Sequence, residues 1–251
     1  MSNAHHRLVP TLADAKSIFA DVASAELAQA GCEGDREKIR ALIERGTTVD
    51  GLGVDGFTPL SWAMQCPETY ALDALLQAGA NPNQLFPAVD GRSLVWIAAK
   101  RNDVKALDVL VRHGGDLNFI DRQGVSVLGA SLRPTSEGMD DAFYWLLDNG
   151  VDVNGHMQVG GVTYSAAPRA ASLGWFDKTY ILLERGYSTD LPGLAFDVET
   201  RFTDKSSENF RWQLKVHEWL KARGVEPSGN AANLARARAE GVLGPDPSVS
   251  D

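Results

Sequence analysis

Two cysteines, no apolar run approaching eighteen residues, and fewer basic than acidic side chains set the first limits on this 251-residue chain. Without an apolar run of that length no transmembrane helix is expected. With 24 Lys and Arg against 33 Asp and Glu, a formal net charge of −9, the chain lacks the basic stripe that nucleic acid or an anionic membrane surface demands, so neither is expected as a partner. The five histidines, His5, His6, His113, His156 and His217, have no metal-ligand spacing with either cysteine, so no metal is expected. Cys32 and Cys66 fall near the ends of two equivalent helices, and packed helices lie ~8–10 Å apart, so two unbridged buried thiols are expected. The N-terminal stretch shows no charged-then-apolar leader, which with the thiols predicts a cytoplasmic protein.

What is present is a phase. Six glycines, Gly46, Gly79, Gly114, Gly150, Gly186 and Gly224, each close a segment that runs from an apolar pair through two or three largely polar residues to the glycine, as in WLLDNG and ILLERG. Their intervals are 33, 35, 36, 36 and 38 residues. Self-similarity at this period predicts a stack of small units that bury their faces against one another, and it favours a binding protein over an enzyme.

The second unit is the most regular. From Asp55 it reads DGFTPLSWAM, and from Ala71 ALDALLQAGANPNQL. This resembles the ankyrin repeat: a turn carrying Gly56, a Thr58-Pro59-Leu60 entry to a first helix, a second helix ending in Leu75-Leu76, then Gly79 and an Asn-Pro-Asn return. Thr58 suits an N-cap, Pro59 the first helical position, Gly79 a left-handed helix end, and Asn81 and Asn83 tight turns. The other copies depart from the pattern. Ser93-Leu94 replaces the usual entry in repeat three, an insertion around RPTSEG lengthens repeat four, and Gly160-Gly161 extends a turn in repeat five. The histidine of the ankyrin first helix is absent, with Ser61, Trp96, Gly129 and Pro168 in its place, which predicts fewer hydrogen bonds between repeats.

The resemblance implies an all-α ankyrin-repeat solenoid of helix-turn-helix units with N- and C-terminal capping helices. The expected domains are 1–24, a tail and capping helix; 25–190, repeats one to five; 191–227, an irregular connection and a degenerate capping repeat; and 228–251, a short helix and disordered tail. Thr11 to Ala25 reads as the N-terminal cap, Tyr187 to Asn209 as a long irregular connection, and Phe210 to Arg223 as the C-terminal capping helix.

No catalytic constellation assembles. Gly51-Leu52-Gly53-Val54-Asp55-Gly56 matches a dinucleotide fingerprint, but no strand precedes it, so no cofactor is expected. The resemblance instead implies that turn tips and first-helix ends hold a partner protein. Those positions are Leu52, Val54, Asp55, Phe57, Gln65 and Cys66; Val89, Asp90, Arg92, Lys100 and Arg101; Ile120, Arg122, Gln123, Val125 and Arg133; and His156, Gln158, Ser172 and Leu173. Phe57 beside Arg92, Lys100 and Arg101 is expected to act as an anchor with charged contacts around it. The functional expectation is a non-enzymatic scaffold, monomeric when unbound, gripping a basic protein partner as a cognate inhibitor of antitoxin or immunity type or as a regulatory adaptor. The competing reading places a small-molecule or catalytic site in the 187–209 segment.

Overall fold

Each of the six phase glycines closes a helix in the same way. Its φ is positive, from 68° at Gly224 to 96° at Gly46, Gly79 and Gly186. The residue that follows donates its N–H to the carbonyl of a leucine five residues back, Leu42, Leu75, Leu110, Leu146, Leu182 or Leu220, at 2.9–3.2 Å. This bond satisfies a carbonyl that the helix end would otherwise orphan, and all six leucines are buried. At Gly79 no heavy atom lies within 4 Å of where a side chain would begin, so backbone conformation and not crowding requires glycine there.

The computed structural model describes residues 10–86, 91–133, 140–159, 162–201 and 203–226. The chain divides into two compact units, Met1–Arg122 and Gln123–Asp251. In the first, α1 (Leu12–Ile18) packs on α2 (Val22–Glu33), which pairs with α3 (Arg36–Glu44); α4 (Pro59–Ala63) pairs with α5 (Tyr70–Gln77), and α6 (Leu94–Lys100) with α7 (Val104–Arg112). A short antiparallel pair, β1 (Leu85–Phe86) with β2 (Arg92–Ser93), leads into α6. The second unit repeats the plan with α8 (Val127–Ser131) and α9 (Asp141–Asp148), a hairpin of β3 (His156–Val159) with β4 (Val162–Ser165), α10 (Ala166–Ser172) and α11 (Phe176–Glu184), and finally α12 (Leu191–Thr200) and α13 (Glu208–Lys221). First helices pack on first helices, α2 on α4 and α10 on α8 and α12; second helices do likewise, α5 on α3 and α7 and α11 on α13. Alanine at Ala25, Ala28, Ala98, Ala99, Ala170 and Ala171, all buried, lets the first helices approach, while paired leucines fill the seam of the second helices.

The entries form as their caps dictate. The Thr58 hydroxyl accepts from Ser61 N at 3.2 Å while Thr58 N donates to Ser61 Oγ at 2.8 Å, a reciprocal box in front of Pro59. Ser93 and Ser126 cap α6 and α8 alike. Ser61, which stands at the histidine position, is thus used locally. Part of the bonding between repeats comes from the returns. The Asn83 side chain donates to Gly114 O at 2.9 Å and accepts from Asp116 N at 2.8 Å; Asn154 donates to Gly186 O at 3.1 Å and accepts from Ser188 N at 2.7 Å; Asp50 accepts from Asn81 N at 3.1 Å. Each lies four residues past a phase glycine and reaches the backbone of the next repeat, restoring part of what the absent histidine would have supplied.

Three expectations are corrected. The 187–209 segment is not an irregular connection: α12 occupies its centre as the first helix of a sixth pair. Asp190 accepts from Gly193 N at 2.9 Å, Pro192 sits in the first turn, and Leu194, Ala195 and Val198 are buried on one stripe. The Thr11 to Ala25 stretch is broken after Ile18, because Asp21 accepts from Ser24 N at 2.8 Å and starts α2. Cys32 and Cys66 are joined in a disulfide with their Cα atoms 5.6 Å apart. Cys66 lies past the end of α4, outside the helix, so the spacing of helix axes does not govern the pair. The expected short helix and tail at 228–251 lie outside the described residues.

Candidate partner-binding surface

In the first unit the tip of repeat two is a tight turn. Gly53 N donates to Phe57 O at 2.7 Å, a short 3-10 turn spans Val54–Gly56, and Asp55 takes a left-handed conformation with φ 56°. Aspartate tolerates this better than most side chains. The turn pushes Leu52 and Val54 into solvent, 67% and 54% exposed. Behind it a cavity of about 210 Å³ opens between repeats two and three, walled by Phe57, Met64, Phe86, Leu94 and Ile97, with Asp55, Gln65 and Arg101 among its lining. Lys100 and Arg101 end α6, both exposed.

Arg92 does not point freely at a partner. Its Nε lies 3.1 Å from Asp121 Oδ2, a fully buried carboxylate, and its guanidinium carbon stands 4.2 Å from the centre of the Trp96 ring. Through register with Phe86 it also fixes β2 against β1. Arg122 is exposed beside Gly91. Val89 and Asp90 lie outside the described residues.

In the second unit an equivalent cavity of about 210 Å³ lies between repeats four and five, lined by Val125, Tyr164, Pro168 and Arg169. Gln123 is exposed and Arg133 half-buried. Other carboxylates and their partners lie away from the turn tips. In the first unit Asp73 on α5 accepts from Arg36 on α3 at 2.8 Å and lies 3.0 Å from His113 Nε2 at the end of α7. The His113 hydrogen bond, aided by the nearby positive charges, holds the Asp73 carboxyl below the ordinary carboxylate value. In the second unit Lys178, fully buried on α11, pairs with Asp140 at 2.7 Å. Burial, and to a lesser extent Asp190, pushes the Asp197 carboxyl up to about 6. His217 Nε2 lies 2.8 Å from Glu199 Oε1 where α13 crosses α12. Among the described residues no cluster of three or more metal-ligating side chains occurs, and no helix is long and apolar enough to cross a membrane.

A family model of the ankyrin repeat matches residues 55–85, the turn, helix pair and return just described. The human ASB11 ankyrin repeat domain superposes with a TM-score of 0.53 at 20% identity, covering 82% of this chain and 87% of that one. The chain carries an ankyrin repeat at residues 55–85 and has the ankyrin-repeat fold. Ankyrin repeats build protein-interaction scaffolds, and two curated relatives match part of this chain. The chain is 32% identical over 124 residues to the inactive serine/threonine-protein kinase TEX14 of Bos taurus, and 29% identical over 170 residues to the nuclear factor NF-kappa-B p105 subunit of Gallus gallus. Those matches take in 49% and 68% of this chain but only 8% and 16% of the relatives' own lengths.

Within the ankyrin repeats, four of the anticipated residues, Asp55, Phe57, Gln65 and Arg101, come together on one cavity. Cys66 does not join them, since its sulfur is buried in the disulfide. His156 and Gln158 sit on β3, and Ser172 and Leu173 end α10, all exposed. Tyr164, 42% exposed, was not singled out. It precedes the N-cap of α10 as Phe57 precedes that of α4, so aligning the repeats on their caps could have found it. Met64, Phe86 and Ile97 read only as core.

Proposed function

We propose that this chain is a non-enzymatic scaffold, monomeric when unbound, that holds a partner protein against the turn tips and first-helix ends of its ankyrin repeats. The observation that carries the reading is where apolar surface is exposed. Among the described residues nine large apolar side chains stand in solvent, and five of them (Leu52, Val54, Leu85, Tyr164 and Leu173) lie on turn tips, hairpins or first-helix ends. Exposed apolar groups clustered on one kind of element mark an interaction surface. The formal charge of −9 favours a basic partner by steering encounter, and disfavours nucleic acid and anionic membranes. Two roles fit: a cognate inhibitor of antitoxin or immunity type, which covers its target, and a regulatory adaptor, the role nearer to a relative named as a subunit. The competing site in the 187–209 segment loses its premise, since a packed helix replaces the long loop on which it rested. Compartment turns on the cysteines: reduced thiols fit the cytoplasm, a maintained Cys32–Cys66 bridge an oxidising environment.

The test is affinity purification from the native cell followed by calorimetric titration of the captured protein. Leu52→Ala and Val54→Ala should weaken binding without lowering thermal stability, while Glu37→Lys and Lys105→Glu on the second helices should leave it unchanged. The opposite pattern would move the interface to the back of the repeats.

A further inference from the structure

We propose that the cavity between repeats two and three takes a single apolar side chain of the partner, with a basic residue of the partner next to it on the Asp55 carboxylate. This rests on the scaffold reading and adds the chemistry of what is recognised. At about 210 Å³ the cavity falls below the roughly 300–1,000 Å³ of small-molecule sites and suits one side chain. Its floor is closed by Met64 and Phe86, 4% and 5% exposed, while Phe57 and Ile97 are half-buried at its lip. The walls are set before any partner arrives. Phe57 is fixed by the turn bond to Gly53, and Phe86 by its pairing with Arg92, itself held by Asp121 and Trp96. A preformed apolar recess that a partner residue can dry is where binding energy concentrates, and the thioether of Met64 adapts to branched or aromatic guests.

The anchor therefore belongs to the partner, and Phe57 is the wall it meets. The rim decides the neighbour. Asp55 is exposed on a backbone turned outward by its left-handed conformation, and its negative charge calls for a cation beside the buried side chain. The equivalent cavity of the second unit has Arg169 in its lining, as the first has Arg101, but no carboxylate, so it does not make the same demand.

Random linear peptides displayed on phage and selected on the full-length protein supply the probe. Enriched peptides should carry an apolar residue adjacent to Lys or Arg, and should shift the methyl resonance of Met64 in the carbon-13 methyl-labelled protein. Ile97→Phe, which fills the lip from a half-exposed position, should weaken the best synthetic peptide by about tenfold or more. Asp55→Asn, which keeps a residue at ease in the left-handed region, should remove the preference for Lys or Arg while the apolar preference stays. A library yielding no such pair, or enriched peptides that leave the Met64 methyl unmoved, overturns the proposal. If peptides bind, ignore Ile97→Phe and yet are lost with Leu52→Ala or Val54→Ala, the cavity is wrong and the scaffold reading stands. If only Glu37→Lys and Lys105→Glu matter, both fall.

Discussion

Gly31 on α2 and Leu75 on α5 should behave as one unit. A methyl added at Gly31 would start 2.7 Å from Leu75 Cδ1 and 3.1 Å from its Cγ, well inside contact distance. Leu75 is fully buried and cannot step aside without disturbing the seam between repeats one and two. Overpacking of this kind costs about 1–3 kcal/mol, offset by the ~1 kcal/mol that alanine gains over glycine inside a helix. Gly31→Ala alone should therefore lower stability by about 0–2 kcal/mol. Leu75→Ala alone trims a buried isobutyl side chain to a methyl and leaves a cavity, at about 3–5 kcal/mol. In the double variant the new methyl enters the vacated space, the clash disappears and the helix gain remains. The pair should then be about 1–2 kcal/mol more stable than the sum of the singles predicts. Urea unfolding at matched redox state reads this as midpoint shifts at constant slope. Additivity within about 0.5 kcal/mol, or a Gly31→Ala variant more stable than the parent, would refute the close approach of α2 to α5.

Three further outcomes follow from the same packing. Replacing Cys32 and Cys66 together by serine should cost ~3–4 kcal/mol for a bridge of 34 residues' separation, and two thiols reacting in the denatured, unreduced protein would deny the bridge. Lys178→Met should cost about 3–5 kcal/mol by leaving the Asp140 carboxylate without its cation, with much of the loss recovered when Asp140→Leu is added; an unchanged melting temperature would contradict the buried pair. Asp197 carries a raised pKa, so between about 4 and 6 the folded chain binds more protons than the unfolded one, and this residue's contribution to stability falls as pH rises through that window. Asp197→Asn should accordingly raise the melting temperature at pH 7.5 more than at pH 4.5, and an equal effect at both would remove the burial argument.

The repeat phase was legible because one device recurs: a buried leucine, a left-handed glycine five residues minus one later, and a cap before the next helix, all within a few residues of each other in sequence. The sixth pair was obscured because α12 opens on Leu-Pro-Gly, which reads as a loop, although its buried stripe at Leu194, Ala195 and Val198 has helical spacing. The Asn83 and Asn154 clamps were unreadable for another reason. Their own-turn bonds are local, but their partners at Gly114, Asp116, Gly186 and Ser188 lie 31–34 residues on. Arg92 shows the same limit at the candidate site: the sequence places it at a turn tip, and only Asp121, 29 residues further, turns it into a strut. Met64 and Phe86 look like core from any pattern of apolarity, and they are core; what the pattern hides is the opening left beside them.

Hydrogen exchange on the free protein and on its complex with the captured partner tests the central claim most directly. Protection should appear over residues 52–57 and at the end of α6 around Lys100 and Arg101, with α3, α5 and α7 exchanging as they do in the free protein. Protection confined to those second helices, or to α12 and α13, would contradict the account.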